Sequence, residues 1–246
     1  MLLGIGMPPV LHGGDAHRRA RRGVDARWRL RQLVGAAGTV VSTDLTPAML
    51  AGARRRLGSA ARVGLTACAA EALPFPAASF DAVVSRFGVM LFADPGAGVR
   101  EMARVARPGG TVAAAVWGAP DRNPYLATPM GVVARLARDV PPPDPAAPGV
   151  FRLAAPGHLA ALFAAAGVRE LHEERREFVM DVRLGLDDLW PFLLRLASPL
   201  RGVVTAQAPD VQQEIAAAVR AAVAPYLHEG TMRFPAEMVL ACGRRA

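Results

Sequence analysis

Not one lysine occurs in this chain of 246 residues, so all 29 of its basic side chains other than histidine are arginines. Cysteine is almost as scarce. Cys68 and Cys242 are too few for a disulfide framework or a zinc site, which fits a reducing cytoplasm. Every long apolar stretch is interrupted by Arg, Asp, Pro or Gly before the roughly eighteen residues that a membrane-spanning helix needs. The opening Met1-Leu2-Leu3-Gly4-Ile5-Gly6 has no basic lead-in and only a short apolar run, so a secretory signal is not expected. What remains is a globular balance of 52% hydrophobic and 20% charged residues, enough for one domain with embellishments or a core plus a lid.

A formal charge of +8 invites a nucleic-acid reading, but its placement argues otherwise. Residues 12–31 hold seven arginines (Arg18, Arg19, Arg21, Arg22, Arg27, Arg29, Arg31) against Asp15 and Asp25, leaving the rest of the chain almost neutral. Abundant Ala, Arg, Gly and Pro with no Lys is the bias of a GC-rich coding sequence rather than of selection for phosphate contacts. Nucleic acid is therefore not an expected partner, and the oligomeric state is not legible.

From about residue 38 strands and helices alternate, the pattern of a doubly wound, mostly parallel sheet with helices on both faces. Thr39-Val40-Val41-Ser42-Thr43 is a β-branched run that ends at Asp44. Thr46 then suits an N-cap and Pro47 the first helical position of a helix reaching about Leu57. Strands are expected at Val63–Ala67, Phe80–Ser85 and Thr111–Trp117, with a helix from about Gly96 to Ala106. Beyond Trp117 prolines punctuate residues 118–150, an irregular connection around one helix. A helix over His158–Ala166, a long strand over Glu170–Val182, helical stretches near 186–197 and 209–227, and a last strand near Met238–Cys242 complete the pattern.

In such a sheet an acidic residue ending the second strand accepts hydrogen bonds from a ribose diol, and Asp44 sits there. Ordinary turn chemistry is the competing explanation for an Asp in that place. Four segments now carry a resemblance: Val40–Leu50, Ala70–Phe75, Ser79–Gly88 and Glu101–Gly110. In order and at compatible spacing they resemble class I S-adenosylmethionine-dependent methyltransferases of the ubiquinone/menaquinone-biosynthesis type, over about residues 36–117.

The resemblance implies a Rossmann-like fold and S-adenosylmethionine as cofactor. Asp44 is then expected to hold the ribose, with Leu45 and Met49 against the adenine and the Ala69-Ala70-Glu71 turn at its edge. Ser85 and Arg86 are expected along the methionine part, and Phe87 at the substrate entrance. Core packing explains Phe87 and Met90 equally well. Asp81 is assigned a structural role at the start of its strand. Tyr125, Trp190 and Phe192 are candidates for an apolar substrate pocket, with core packing again the rival. Methyl transfer needs neither a metal nor a dedicated nucleophile, because the sulfonium brings the activation. A missing Ser/His/Asp array or HExxH motif therefore excludes nothing, and no catalytic residue is assigned. A nicotinamide enzyme is disfavoured, since there is no clear Gly-x-Gly-x-x-Gly and no Tyr-x-x-x-Lys.

Two departures from the family stand out. The acidic residue that usually precedes Ala-Glu in the third-strand loop is Ala69 here, at a cost of about 1–3 kcal/mol if the adenine's donor is left buried. The glycine-rich first turn is reduced to Gly4-Ile5-Gly6 after a short, incomplete first strand lacking its acidic residue, and forty positions separate Gly4 from Asp44 where about twenty are usual. A misread or frameshifted coding start, with the family pattern resuming near Leu33, explains this together with the arginine cluster. The alternative is a real basic segment that docks on a partner in a catalytically inactive protein.

The expected organisation is thus an aberrant basic segment 1–35 and a methyltransferase-like domain 36–246, with a lid at 118–150 and a helical insertion at 184–230. The expected reaction is methyl transfer to a small, lipophilic or aromatic acceptor.

Overall fold

The computed structural model describes residues 2–6, 34–35, 37–57, 63–140, 147–196 and 198–246. Its β-branched and apolar runs become strands β1 (Leu2–Gly6), β2 (Val40–Asp44), β3 (Val63–Ala67), β4 (Phe80–Arg86) and β5 (Ala106–Trp117). After these come β6 (Val168–Val182), the two-residue β7 (Leu227–His228) and β8 (Thr231–Arg245). All eight form one sheet in the order β3-β2-β1-β4-β5-β8-β6, with β7 attached to β8. The first five are parallel, while β8 runs antiparallel to both β5 and β6. The 3-2-1-4-5 order is that of the doubly wound Rossmann sheet, so the α/β class read from the sequence is observed.

Parallel neighbours need crossovers, and right-handed crossovers fix where the helices go. The chain moves outward one way through helix α1 (Pro47–Leu57) and the other way through α2 (Pro95–Val105), so the two lie on opposite faces. Burial agrees. On the α2 side Val83, Val112, Ala114, Val116, Val239 and Ala241 are all buried, whereas Val84, Ala113, Ala115 and Leu240 on the other side are only half-buried. Helix α2 starts cleanly because the Asp94 Oδ1 accepts the Ala97 N–H at 2.9 Å and Pro95 occupies the first turn. Helix α4 (His158–Ala165) packs beside it over β6.

The remaining helices, α3 (Pro124–Leu136), α5 (Leu186–Leu196), α6 (Ser198–Thr205) and α7 (Pro209–Val223), form a separate group in which α7 packs against both α3 and α5. Helix α6 lies within the expected helical insertion 184–230 but between the two helical stretches expected near 186–197 and 209–227. Among the described residues no helix is long and apolar enough to cross a membrane.

The last strand is three times the length expected, and its outer half carries the helical group. Arg233, Pro235 and Glu237 hide an alternation in which Met232, Phe234 and Ala236 are buried. Pro235 is tolerated because β5 has already ended at Trp117, opposite Met238, which leaves this part of β8 an edge on that side. Phe234 is fully buried between Tyr125 (ring centroids 5.4 Å) and Tyr226 (4.7 Å), joining α3 to the strand. The substitution Phe234→Ala should lower stability by about 3–5 kcal/mol in urea unfolding. A loss below about 1 kcal/mol would show that this contact does not hold the helical group in place.

Candidate functional site

Parallel strands deliver their carboxyl ends to one edge, and the candidate residues collect there. Asp44 ends β2, Gly6 ends β1 and Arg86 ends β4; Gly6 is paired in register with Arg86, and Ile5 with Thr43. The Asp44 Oδ1 accepts the Thr46 N–H at 3.0 Å, a local turn that fixes the carboxylate and starts α1 at Pro47. Turn chemistry and an outward-facing strand end thus coexist at this residue. Leu45, next along, is 73% exposed, unusual for a leucine, and Met49 is half-buried in the first turn of α1.

The loop after β3 closes against the same edge, since the Cys68 N–H donates to the Asp44 carbonyl at 3.2 Å. Ala69 is half-buried and Ala70 buried. Glu71 points elsewhere: its Oε1 accepts the N–H groups of Ala93 (2.8 Å) and Asp94 (3.4 Å), tying this loop to the entrance of α2.

The same loop is held a second time from inside α2. Glu101 accepts the Leu73 N–H at 2.8 Å and two bonds from Arg104 at 2.6 and 2.8 Å. Arg104 also donates to the carbonyls of Leu73 and Phe75, both at 2.9 Å. Two of the motif segments, Ala70–Phe75 and Glu101–Gly110, are therefore the two halves of one clamp. The Arg104 guanidinium and the Leu73 N–H hold the Glu101 carboxyl below its ordinary range. Asp81 is held at the opposite end of its strand by Arg107 at 2.6 Å.

Past Arg86 the chain turns sharply. Phe87 adopts a left-handed φ of 54°, costly for a residue with a side chain, while its N–H donates to the Ala115 carbonyl at 2.7 Å. Its ring stacks on Trp117 (4.2 Å, 12° between planes), which faces Phe178 at 6.4 Å, and the Arg86 guanidinium lies 5.3 Å from the Phe87 centroid. An apolar hollow of about 430 Å³ opens beneath Arg86 and Phe87 along Ala113, Ala115 and Leu240. Ser85 is buried, and its Oγ has no partner among the described residues.

Gly4, Ile5 and Gly6, expected as the remnant of a turn after an incomplete strand, instead lie within β1, which is as long as β2 and β3 and is paired on both sides; the segment immediately after Gly6 lies outside the described residues, as does the basic stretch 12–31. Tyr125 is apart from the others, in the first turn of α3; burial there raises its phenol well above the usual range. Trp190 and Phe192 are buried in α5. Trp117 and Phe178 escaped the sequence reading. Trp117 is signalled only by its place at a strand end, and Phe178, 61 positions later, by nothing local. Among the described residues no group of His, Cys, Asp and Glu suits a metal ion.

Comparison with known proteins bears on this edge directly. Residues 25–114 match the methyltransferase domain family, beginning somewhat before the stretch marked by the motifs. An uncharacterized protein of Mycobacterium tuberculosis (strain ATCC 25618 / H37Rv) is 46% identical over 83 residues, 32% of this chain and 29% of that protein. The ubiquinone/menaquinone biosynthesis C-methyltransferase UbiE of Cellvibrio japonicus is 37% identical over 89 residues, 35% of this chain and 36% of that enzyme. The matched stretch is thus about a third of the length of these relatives. The YcgJ protein of Bacillus subtilis superposes with a TM-score of 0.54 at 19% identity, covering 99% of this chain and 91% of that one, a likeness of fold. A putative methyltransferase of Bacillus halodurans gives 0.52 at the same identity and coverage. Over residues 25–114 the chain is thus similar to a methyltransferase domain, and its fold as a whole is Rossmann-like.

The clamp makes a pH-dependent prediction. Because the folded-state pKa of Glu101 is depressed, its contribution to stability is complete above the ordinary glutamate value of about 4.3 and disappears as pH falls through the folded value. Glu101→Gln should lose about 1–3 kcal/mol at pH 7 and show a shallower fall in stability between about pH 5 and 3. Parallel stability–pH curves for variant and parent would rule the clamp out as a source of acid lability.

Proposed function

We propose that this chain transfers a methyl group from S-adenosylmethionine to a small, lipophilic or aromatic acceptor. The observation that carries this reading is the pairing of the fixed Asp44 carboxylate with the exposed Leu45, on the same edge as Arg86 and Phe87. A carboxylate at a strand end suits a ribose diol, and an exposed leucine beside it suits the flat face of an adenine. Bound there, the cofactor supplies the activated methyl group.

The protein's share is to position and to exclude water. Asp44 anchors the ribose, Leu45 and Met49 cover one adenine face, and the backbone of Ala69, Ala70 and Glu71 borders its edge. Gly4, Gly6, Ser85 and Arg86 border the methionine part. Phe87, a buried ring stacked on Trp117 with Phe178 beyond it, forms an aromatic wall behind the acceptor, and Tyr125 belongs to the helical group. Residues 118–150 and 184–230 are the parts suited to act as lid and insertion. The apolar hollow under Phe87 and the similarity to ubiquinone/menaquinone biosynthesis C-methyltransferases both favour a lipophilic or aromatic acceptor.

S-adenosylhomocysteine should raise the melting temperature of the folded protein, and Asp44→Ala should abolish the shift while the variant still unfolds cooperatively. No shift in the parent protein at millimolar ligand contradicts the reading.

A further inference from the structure

One carboxylate behind the aromatic wall has no part in that chemistry. Glu237, in the outer half of β8, is only 7% exposed. Its Oε1 accepts from Arg175 of β6 at 2.6 Å and from the Ala119 N–H at 3.1 Å. Its own N–H donates to Asn123 Oδ1 at 3.0 Å, and its carbonyl accepts the Gly118 N–H at 2.9 Å. Asn123 is buried and closes the circuit by donating to the Ala119 carbonyl at 2.9 Å, while Arg175 reaches the Ala154 carbonyl at 2.6 Å. Four parts of the chain thus meet at Glu237 (β8, β6, the loop leaving β5 and the start of α3), and Arg175 extends the circuit to the approach to α4.

The loop is shaped around it. A Cβ at Gly118 would overlap the Glu237 carboxylate, so only glycine fits while that side chain stays in place. Gly118 directly follows Trp117, the ring stacked on Phe87, and Asn123 directly precedes α3 with Tyr125 in its first turn. The bonds from Glu237 therefore end close to each of these groups along the chain. Burying a carboxylate is costly unless it is fully paired, so an acid held in this circuit points to a need for fixed geometry more than for stability.

We propose that Glu237 is a positioning residue of the acceptor side of the site, locking Trp117 against Phe87 and fixing the approach of α3. Its role in acceptor binding rests on the methyltransferase reading; the lock on Trp117 does not. The test uses the full chain with Trp28 and Trp190 replaced by Phe, so that Trp117 alone emits.

Glu237→Gln and Gly118→Ala, two unrelated ways of disturbing the carboxylate, should give the same red-shifted Trp117 emission and the same loss of near-ultraviolet circular dichroism. Affinity for S-adenosylhomocysteine should stay within about twofold of the parent, because the Asp44 edge is untouched. Glu237→Asp should restore part of the signal. If both variants keep the parent's Trp117 spectra, or lose melting temperature alone, the lock is refuted. Should Glu237→Gln not fold, Gly118→Ala decides. Failure of the parent to bind S-adenosylhomocysteine refutes the methyltransferase reading instead, and the Trp117 spectra still judge the lock.

Discussion

Five residues of backbone hold this sheet together. Strand β1, Leu2–Gly6, is paired on one side with β2 and on the other with β4, and no other strand joins the β3–β2 ribbon with α1 to the β4–β5–β8–β6 assembly among the described residues. Parallel pairing allows little choice of register once the crossovers are fixed. It sets Gly6 against Arg86 and so puts the end of β2, with Asp44 and Leu45, on the same edge as the end of β4, with Arg86 and Phe87. The site is a consequence of that alignment. A slip of one residue would turn every side chain of β2 to the other face.

Around that edge the fold uses buried or half-buried ion pairs as fasteners. Glu101 with Arg104 fastens the loop after β3 to α2, and Glu237 with Arg175 fastens the loop after β5 to β6 and β8. Each carboxylate also accepts a backbone N–H, from Leu73 in one case and Ala119 in the other. Charge pairing alone is a poor source of stability; combined with backbone bonds it fixes where a loop runs. The two loops so fixed flank the strand ends where a cofactor and an acceptor would meet.

How legible this was in the sequence differs by region, for a physical reason. Strands β2 to β5 and helices α1 and α2 have local signatures: β-branched runs, Asp and Pro at helix starts, Pro-Gly-Gly before the inner part of β5. Asp44 stood out for the same reason, as an acid directly after such a run. Strand β8 was seen only in its inner half, because Arg233, Pro235 and Glu237 conceal the alternation of Met232, Phe234 and Ala236. Glu237 itself has no local signature, since its partners lie 62 and 118 positions away. The stack of Phe87, Trp117 and Phe178 was invisible because the three rings come from separate parts of the chain. Glu71 was expected at the adenine edge through its backbone, and its side chain proves to serve the entrance of α2.

The central claim is that the edge defined by Asp44, Leu45 and Arg86 holds S-adenosylmethionine. Titration calorimetry of the full chain with S-adenosylhomocysteine tests it most directly. One molecule bound per chain, displaced by S-adenosylmethionine and lost in Asp44→Ala, is the predicted result. A folded protein that releases no binding heat at millimolar ligand, at two temperatures, would contradict it.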